Sequence, residues 1–243
     1  MNRIAGLAGA LVVAAGLAVV AAPAAAADAG DHRVPVGAGP SGVVYSEGTA
    51  RTASLGDVPD IEWPPAGVVP PQHKAETLRE FAYAMEKHLD TAFPAAVPQA
   101  TNVFWRPWSG EWEGIIEDGQ DYLTTWGVFE DKVGSTAVNL QVEAPGHFAA
   151  SPRQFCEWNE AKCEAEFLED GSLLLNSLVA YERNERMYHI GSALHYRTDG
   201  TVVWFSAYDY DPIWDGDEGP DRDEVALSFE QLSALATDPE LHL

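Results

Sequence analysis

From Thr136 to Glu143 polar and apolar side chains take turns: Thr136, Val138, Leu140 and Val142 alternate with Asn139, Gln141 and Glu143. Successive side chains of an extended chain point to opposite faces, so this segment reads as a strand buried on one face and wet on the other. Such one-sided burial belongs to antiparallel pairing. Segments 102–108, 122–130, 173–181, 186–196 and 201–210 also read as strands, most of them bounded by Gly, Asp or Pro. Asp131-Lys132-Val133-Gly134-Ser135 joins one pair, and Asp199-Gly200 is the strongest short hairpin signal in the chain. The last three strands are expected to form a meander.

Helical periodicity flanks these strands. Ala75, Leu78, Phe81, Ala82, Met85 and Leu89 recur at three- and four-residue steps, which predicts a helix over 73–92 that Pro94 closes. Ser228 with Gln231 three residues on forms a capping-box pattern, which predicts a second helix that Asp238-Pro239 ends. The order helix, strands, helix predicts an α+β fold. We expect a single antiparallel sheet of about five or six strands, with an N-terminal helix and a short C-terminal helix packed on it.

The segment before this domain is of two kinds. Residues 1–27 read as a secretory signal peptide: Arg3 supplies a positive start, Ile4 to Val20 an apolar run, and Pro23 with Ala24, Ala25, Ala26 and Ala27 a small-residue cleavage region. An uncleaved anchor is the competing reading, but no basic stop-transfer flank follows the run. Residues 28–71 are dense in Pro and Gly and lack apolar periodicity, the composition of a disordered linker. The domain is then expected over 72–243. Cys156 and Cys163 are the only cysteines, and in an exported chain they are expected to form a disulfide closing a small loop.

Charge narrows the partners. Acidic side chains outnumber basic ones 38 to 14, giving a formal net charge of −24. Removal of residues 1–27 takes away Arg3 and no carboxylate. A chain this acidic repels phosphate backbones and anionic lipid, so neither nucleic acid nor a membrane surface is an expected partner once the signal is cleaved. Cationic partners and divalent ions suit it better.

Each candidate site has a plainer alternative. Asp209, Asp211, Asp215, Asp217, Glu218, Asp221, Asp223 and Glu224 crowd one stretch, which suggests calcium. With Gly216 at the sixth position of an EF-hand loop, Ile213 and Arg222 fall at the third and twelfth, where neither can coordinate. An irregular calcium loop on Asp209, Asp211, Asp215 and Asp217 then stands against a solvated connector. His189 and His195 share a face of one strand, but at ~3.3 Å per residue they lie roughly 20 Å apart and cannot share a metal. The remaining histidines, His147 among them, are scattered. Trp105, Trp108 and Trp112 could form a stacking platform for a sugar or peptide, or could fill the core and its rim. No Gly-x-Ser-x-Gly elbow, phosphate loop or His-Glu-x-x-His occurs. The residues point to no catalytic group and no cofactor, calcium being the one ion that the acidic stretch suggests.

The stretch Asp199-Gly200-Thr201-Val202-Val203-Trp204, followed by Leu227-Ser228-Phe229-Glu230-Gln231-Leu232-Ser233-Ala234-Leu235-Ala236-Thr237-Asp238-Pro239, resembles the tail of a group of secreted proteins of Streptomyces-like actinomycetes. The resemblance implies export and a bacterial source; it carries no activity, cofactor or site residue. The leading expectation is a secreted, noncatalytic binding or envelope-associated module with a protein or cell-envelope partner. The alternatives are a secreted hydrolase without a recognisable motif and a calcium-stabilised extracellular structural protein. A cleft where His and carboxylate side chains converge would favour the enzyme, and a surface with exposed aromatics would favour binding.

Overall fold

The computed structural model describes residues 58–183, 185–213 and 222–243. The long N-terminal helix, α1, spans Ala75–Ala96. Its buried residues Leu78, Ala82, Met85, Leu89 and Phe93 follow each other at three- and four-residue steps, so they form the single stripe that periodicity anticipated. Pro94 sits inside the last turn rather than ending the helix. The first turn lacks a cap from its own sequence. Asp118, far along the chain, supplies it by accepting from the Ala75 N–H at 2.9 Å, while Lys74 Nζ lies 3.1 Å from the same carboxylate.

Seven strands follow: β1 (Thr101–Trp105), β2 (Tyr122–Glu130), β3 (Ser135–Glu143), β4 (Lys162–Phe167), β5 (Leu173–Arg183), β6 (Arg186–Tyr196) and β7 (Val202–Tyr208). They form one sheet in the order β1-β2-β3-β7-β6-β5-β4, and every pairing is antiparallel. Two meanders, β1 to β3 and β4 to β7, are thus joined where β7 pairs with β3. Gly200, at φ +91, takes the left-handed backbone that the turn between β6 and β7 requires.

The sheet has seven strands where five or six were expected, the additional one being β4. Its Lys162-Cys163-Glu164-Ala165-Glu166-Phe167 alternates, but it is short, charged and at an edge. A third helix also went unanticipated: α2, Pro152–Trp158, between β3 and β4. Ser151 and Gln154 form its capping box and Pro152 opens it, so the start signal was legible. Seven residues are too few to show a helical period. Between α2 and β4, Cys156 and Cys163 form the expected disulfide, with Cα atoms 6.3 Å apart.

Both faces of the sheet are covered. One carries α1 and the C-terminal helix α3, Phe229–Ala236, whose Ser228–Gln231 capping box forms as expected. Leu232 and Leu235 of α3 join the α1 stripe, Leu123, Phe129, Val138, Leu140 and Phe205 in a single core. The opposite face is closed by the crossover from β3 to β4, with Phe148, Phe155 and Cys156, and by residues Val58, Ile61 and Trp63. Trp63 Nε1 donates to the Phe148 carbonyl at 2.7 Å, and Arg153 donates to the carbonyl of the fully buried Val58. The linker expected over 28–71 therefore does not extend through 58–71, part of which is built into the domain. Apolar groups set among prolines show no period, which is why composition hid their burial. Residues 1–57, the signal segment included, lie outside the described residues. Among the described residues no helix is long and apolar enough to cross a membrane.

Candidate functional site

A cleft of about 310 Å³ opens at the end of the sheet where β2 begins and β3 ends. Its walls come from the 106–121 connection, which contributes Glu111, Trp112, Ile115, Glu117, Asp118, Gln120 and Asp121, from Tyr122 of β2, and from His147 of the crossover. The connection is irregular yet firmly tied. Ser109 exchanges backbone hydrogen bonds with Thr124, Arg79 of α1 donates to the Ile116 carbonyl at 2.9 Å, and the Gly119 N–H donates to the His73 carbonyl at 2.7 Å. Gln120 donates to the Tyr122 carbonyl and accepts from the Glu117 N–H. Asp118, which caps α1, faces the cleft as well, so the helix start and the cleft wall are fixed by one carboxylate. The Ala75 N–H, then Lys74, hold its carboxyl below the usual range.

Three ionisable groups converge behind Tyr122. His147 Nδ1 lies 3.2 Å from Asp121 Oδ2, and Nε2 lies 3.5 Å from Glu143 Oε2. The imidazole stacks on the Tyr122 ring, with centroids 5.5 Å apart and planes 18° from parallel. Glu143 is directly opposite Tyr122 in register and is only 1% exposed. Its Oε1 accepts from Gln141, while its Oε2 has no hydrogen-bond partner among the described residues. Burial, opposed by the Gln141 contact and reinforced by Asp121, pushes the Glu143 carboxyl up to about 7. Burial, then Glu111 and Glu143, pushes the Tyr122 phenol up as well.

Sequence alternation placed Glu143 on the wet face of its strand, and this is corrected. The crossover and residues 58–71 cover that face at this end, so Asn139 and Gln141 are half-buried and Glu143 is enclosed. Asp121, Tyr122, Glu143 and His147 were not singled out as a site. Only Tyr122↔Glu143 register and the turn after β3, where the His147 N–H donates to the Ala144 carbonyl, bring them together.

The tryptophan trio does not make a platform. Trp105 lies half-buried on the helix-covered face, edge-on to Phe93 at 5.4 Å, and Trp108 is in the core at 5% exposure. Trp112, 65% exposed, is the one that reaches the cleft. Among the calcium candidates, Asp209 is buried and gives both carboxylate oxygens to His189: Oδ1 accepts the backbone N–H at 2.9 Å and Oδ2 lies 2.8 Å from Nδ1. Asp211 Oδ1 accepts from the Ile213 N–H. Asp215 and Asp217 lie outside the described residues, and among those described no group of three or more His, Cys, Asp or Glu is placed to hold a metal.

His189 and His195 have separate partners. The second of these is 2.8 Å from Ser172 Oγ through Nε2, which resembles a nucleophile and its base. The proton directions oppose that role. Arg197 Nε donates to His195 Nδ1 at 3.4 Å, so Nε2 carries the hydrogen and donates to Ser172, which in turn donates to Asp170 Oδ1 at 2.5 Å. Ser172 and His195 are also buried, and burial, then Arg197, lowers the His195 pKa. The cluster locks the turn between β4 and β5 to β6.

Comparison of the chain with protein-family models, with curated proteins and with solved structures finds no match.

Proposed function

We propose that this is a secreted, noncatalytic binding module that holds a cationic group of its partner in the cleft beside β2. The observation that carries the reading is the wall itself: Glu111, Glu117, Asp118 and Asp121 line it together with Trp112 and Tyr122, and no Lys or Arg is among the lining residues, although Lys74 pairs with Asp118. Carboxylates with an exposed indole suit an ammonium or guanidinium on an apolar stem, since the charge pairs with oxygen and the stem and charge both pack on the ring. Glu111 and Glu117 pair with no described cation, which leaves them to a partner.

Binding is favoured over hydrolysis by the proton chemistry. Both nitrogens of His147 face carboxylates, so neither is turned to a substrate. The lining offers no Ser, Thr or Cys, and Tyr122, its one hydroxyl, is pushed away from ionisation rather than toward it. Export is supported by the signal-like residues 1–27, the likeness to actinomycete secreted proteins and the disulfide.

Titration of the purified protein with an acetylated, amidated tetralysine peptide, read by calorimetry, tests the reading. Binding should weaken about tenfold in Trp112→Ala, within the range of one desolvated cation–aromatic contact, and should weaken with added salt. Equal affinity of the wild type and Trp112→Ala, or no preference over a tetraglutamate peptide, would overturn it.

A further inference from the structure

We infer that the cleft takes up its cation in exchange for a proton shared by Glu143 and His147. The inference rests on the reading of the cleft as a cation site and adds how that site is regulated. Beyond the acidic wall stands an independent observation: a buried carboxylate oxygen, Glu143 Oε2, without a hydrogen-bond partner and directed at His147, which is itself part of the wall.

The geometry admits few protonation states. With Nδ1–H donating to Asp121, a neutral His147 presents the lone pair of Nε2 to Glu143 Oε2 at 3.5 Å. Two lone pairs then face each other, one on the enclosed Glu143 carboxylate and one on the partly exposed His147 ring, unless one proton lies between them. Among the described residues that face the pair there is no Lys or Arg. Asp121 and Tyr122 face the pair from β2 and its approach, with Glu111 beyond Tyr122; Gln141 lies on Glu143's own strand; β7 presents Val202 in register; Val68 and Pro70 pack on Gly146. The pair therefore keeps its proton up to about pH 7, in keeping with a Glu143 carboxyl pushed up to about that value.

A ligand cation at the Asp121–His147 wall changes this balance. Its charge repels the proton on His147 and replaces it as the positive partner of Asp121 and Glu143. The proton leaves for bulk water as the cation enters, so charge is conserved and no bond other than the N–H or O–H is broken. Below about pH 7 the protein must lose a proton to bind, and affinity falls about tenfold for each pH unit of acidification; above it, affinity levels off.

Calorimetric titration with the same tetralysine peptide from pH 5 to 8, a range in which its ammonium groups stay charged, reads the exchange directly. At pH 6, titrations in two buffers of different ionisation enthalpy count the protons. The expected result is release of close to one proton at pH 6, a Kd about fivefold weaker there than at pH 7, and loss of both effects in Glu143→Gln. A pH-independent Kd without proton release overturns the exchange while leaving the cleft reading intact. Absence of peptide binding at every pH, or binding indifferent to Trp112→Ala, overturns the cleft reading and the exchange with it. A second measurement needs no ligand: the Glu143 side-chain carboxyl resonance should titrate at about pH 7. Titration in the range of an exposed carboxylate overturns the retained proton.

Discussion

Glu143→Gln should stabilise the protein at alkaline pH and do little at acidic pH. The side chain is enclosed, and its carboxyl holds a proton from the ordinary 4.5 up to about 7. The folded state thus binds a proton that the unfolded chain releases between those values. Stability contributed by this proton is fully present below pH 4.5 and is lost as pH rises through about 7. At about 1.4 kcal/mol per pH unit, the loss amounts to about 3 kcal/mol by pH 8. Glutamine has nearly the same shape, can still accept from Gln141 and never ionises, so it escapes the loss. Urea unfolding of both proteins at pH 4, 5, 6, 7 and 8 measures it: the gap in favour of Glu143→Gln should open from near zero at pH 4 to about 3 kcal/mol at pH 8. For a domain of this size that gap corresponds to a melting-temperature difference of roughly 6 to 12 °C. A gap that stays constant from pH 4 to pH 8 would refute the reasoning, because it would mean that Glu143 ionises in the fold as freely as in water.

Two further outcomes test what holds the fold together away from the cleft. Arg222 is buried, donates to both carboxylate oxygens of Asp131 at 2.7 and 3.0 Å and also reaches the Gly134 carbonyl, so Arg222→Met should cost about 3 kcal/mol in urea unfolding; a cost below about 0.5 kcal/mol would show that the clamp on the β2–β3 hairpin contributes nothing. Replacing Cys156 and Cys163 together by Ser should lower stability by about 2 to 3 kcal/mol, as expected for a short closed loop, and unchanged unfolding midpoints for the double variant would contradict that role.

What could be read from the residues was whatever local periodicity encodes. The stripe Leu78–Met85–Leu89 implies a helix, the alternation around Leu140 a half-buried strand, Asp199-Gly200 a hairpin, and Ser228 with Gln231 a helix start; each depends on neighbours a few residues away. The same logic failed where the signal was too short or too mixed. α2 carries a capping box but only seven residues, β4 is a charged edge strand, and Val58 with Trp63 hides among prolines. The capping box Ser151–Gln154 shows that one of these was within reach.

The cleft belongs to the other category. Alternation assigned Glu143 to a face but could not say whether that face meets water, because the cover arrives from residues 58–71 and from a crossover that has no period of its own. Likewise nothing local distinguishes Trp112 from Trp108, although one is exposed in the cleft and the other is sealed in the core. By itself the sequence determined the kinds of element, the antiparallel sheet and the cysteine pair, since these follow from side-chain period and from the count of thiols. The tertiary structure alone decided which carboxylates lose their water, because desolvation depends on what the rest of the chain lays over them, and it thereby brought Asp121, Glu143 and His147 to one place.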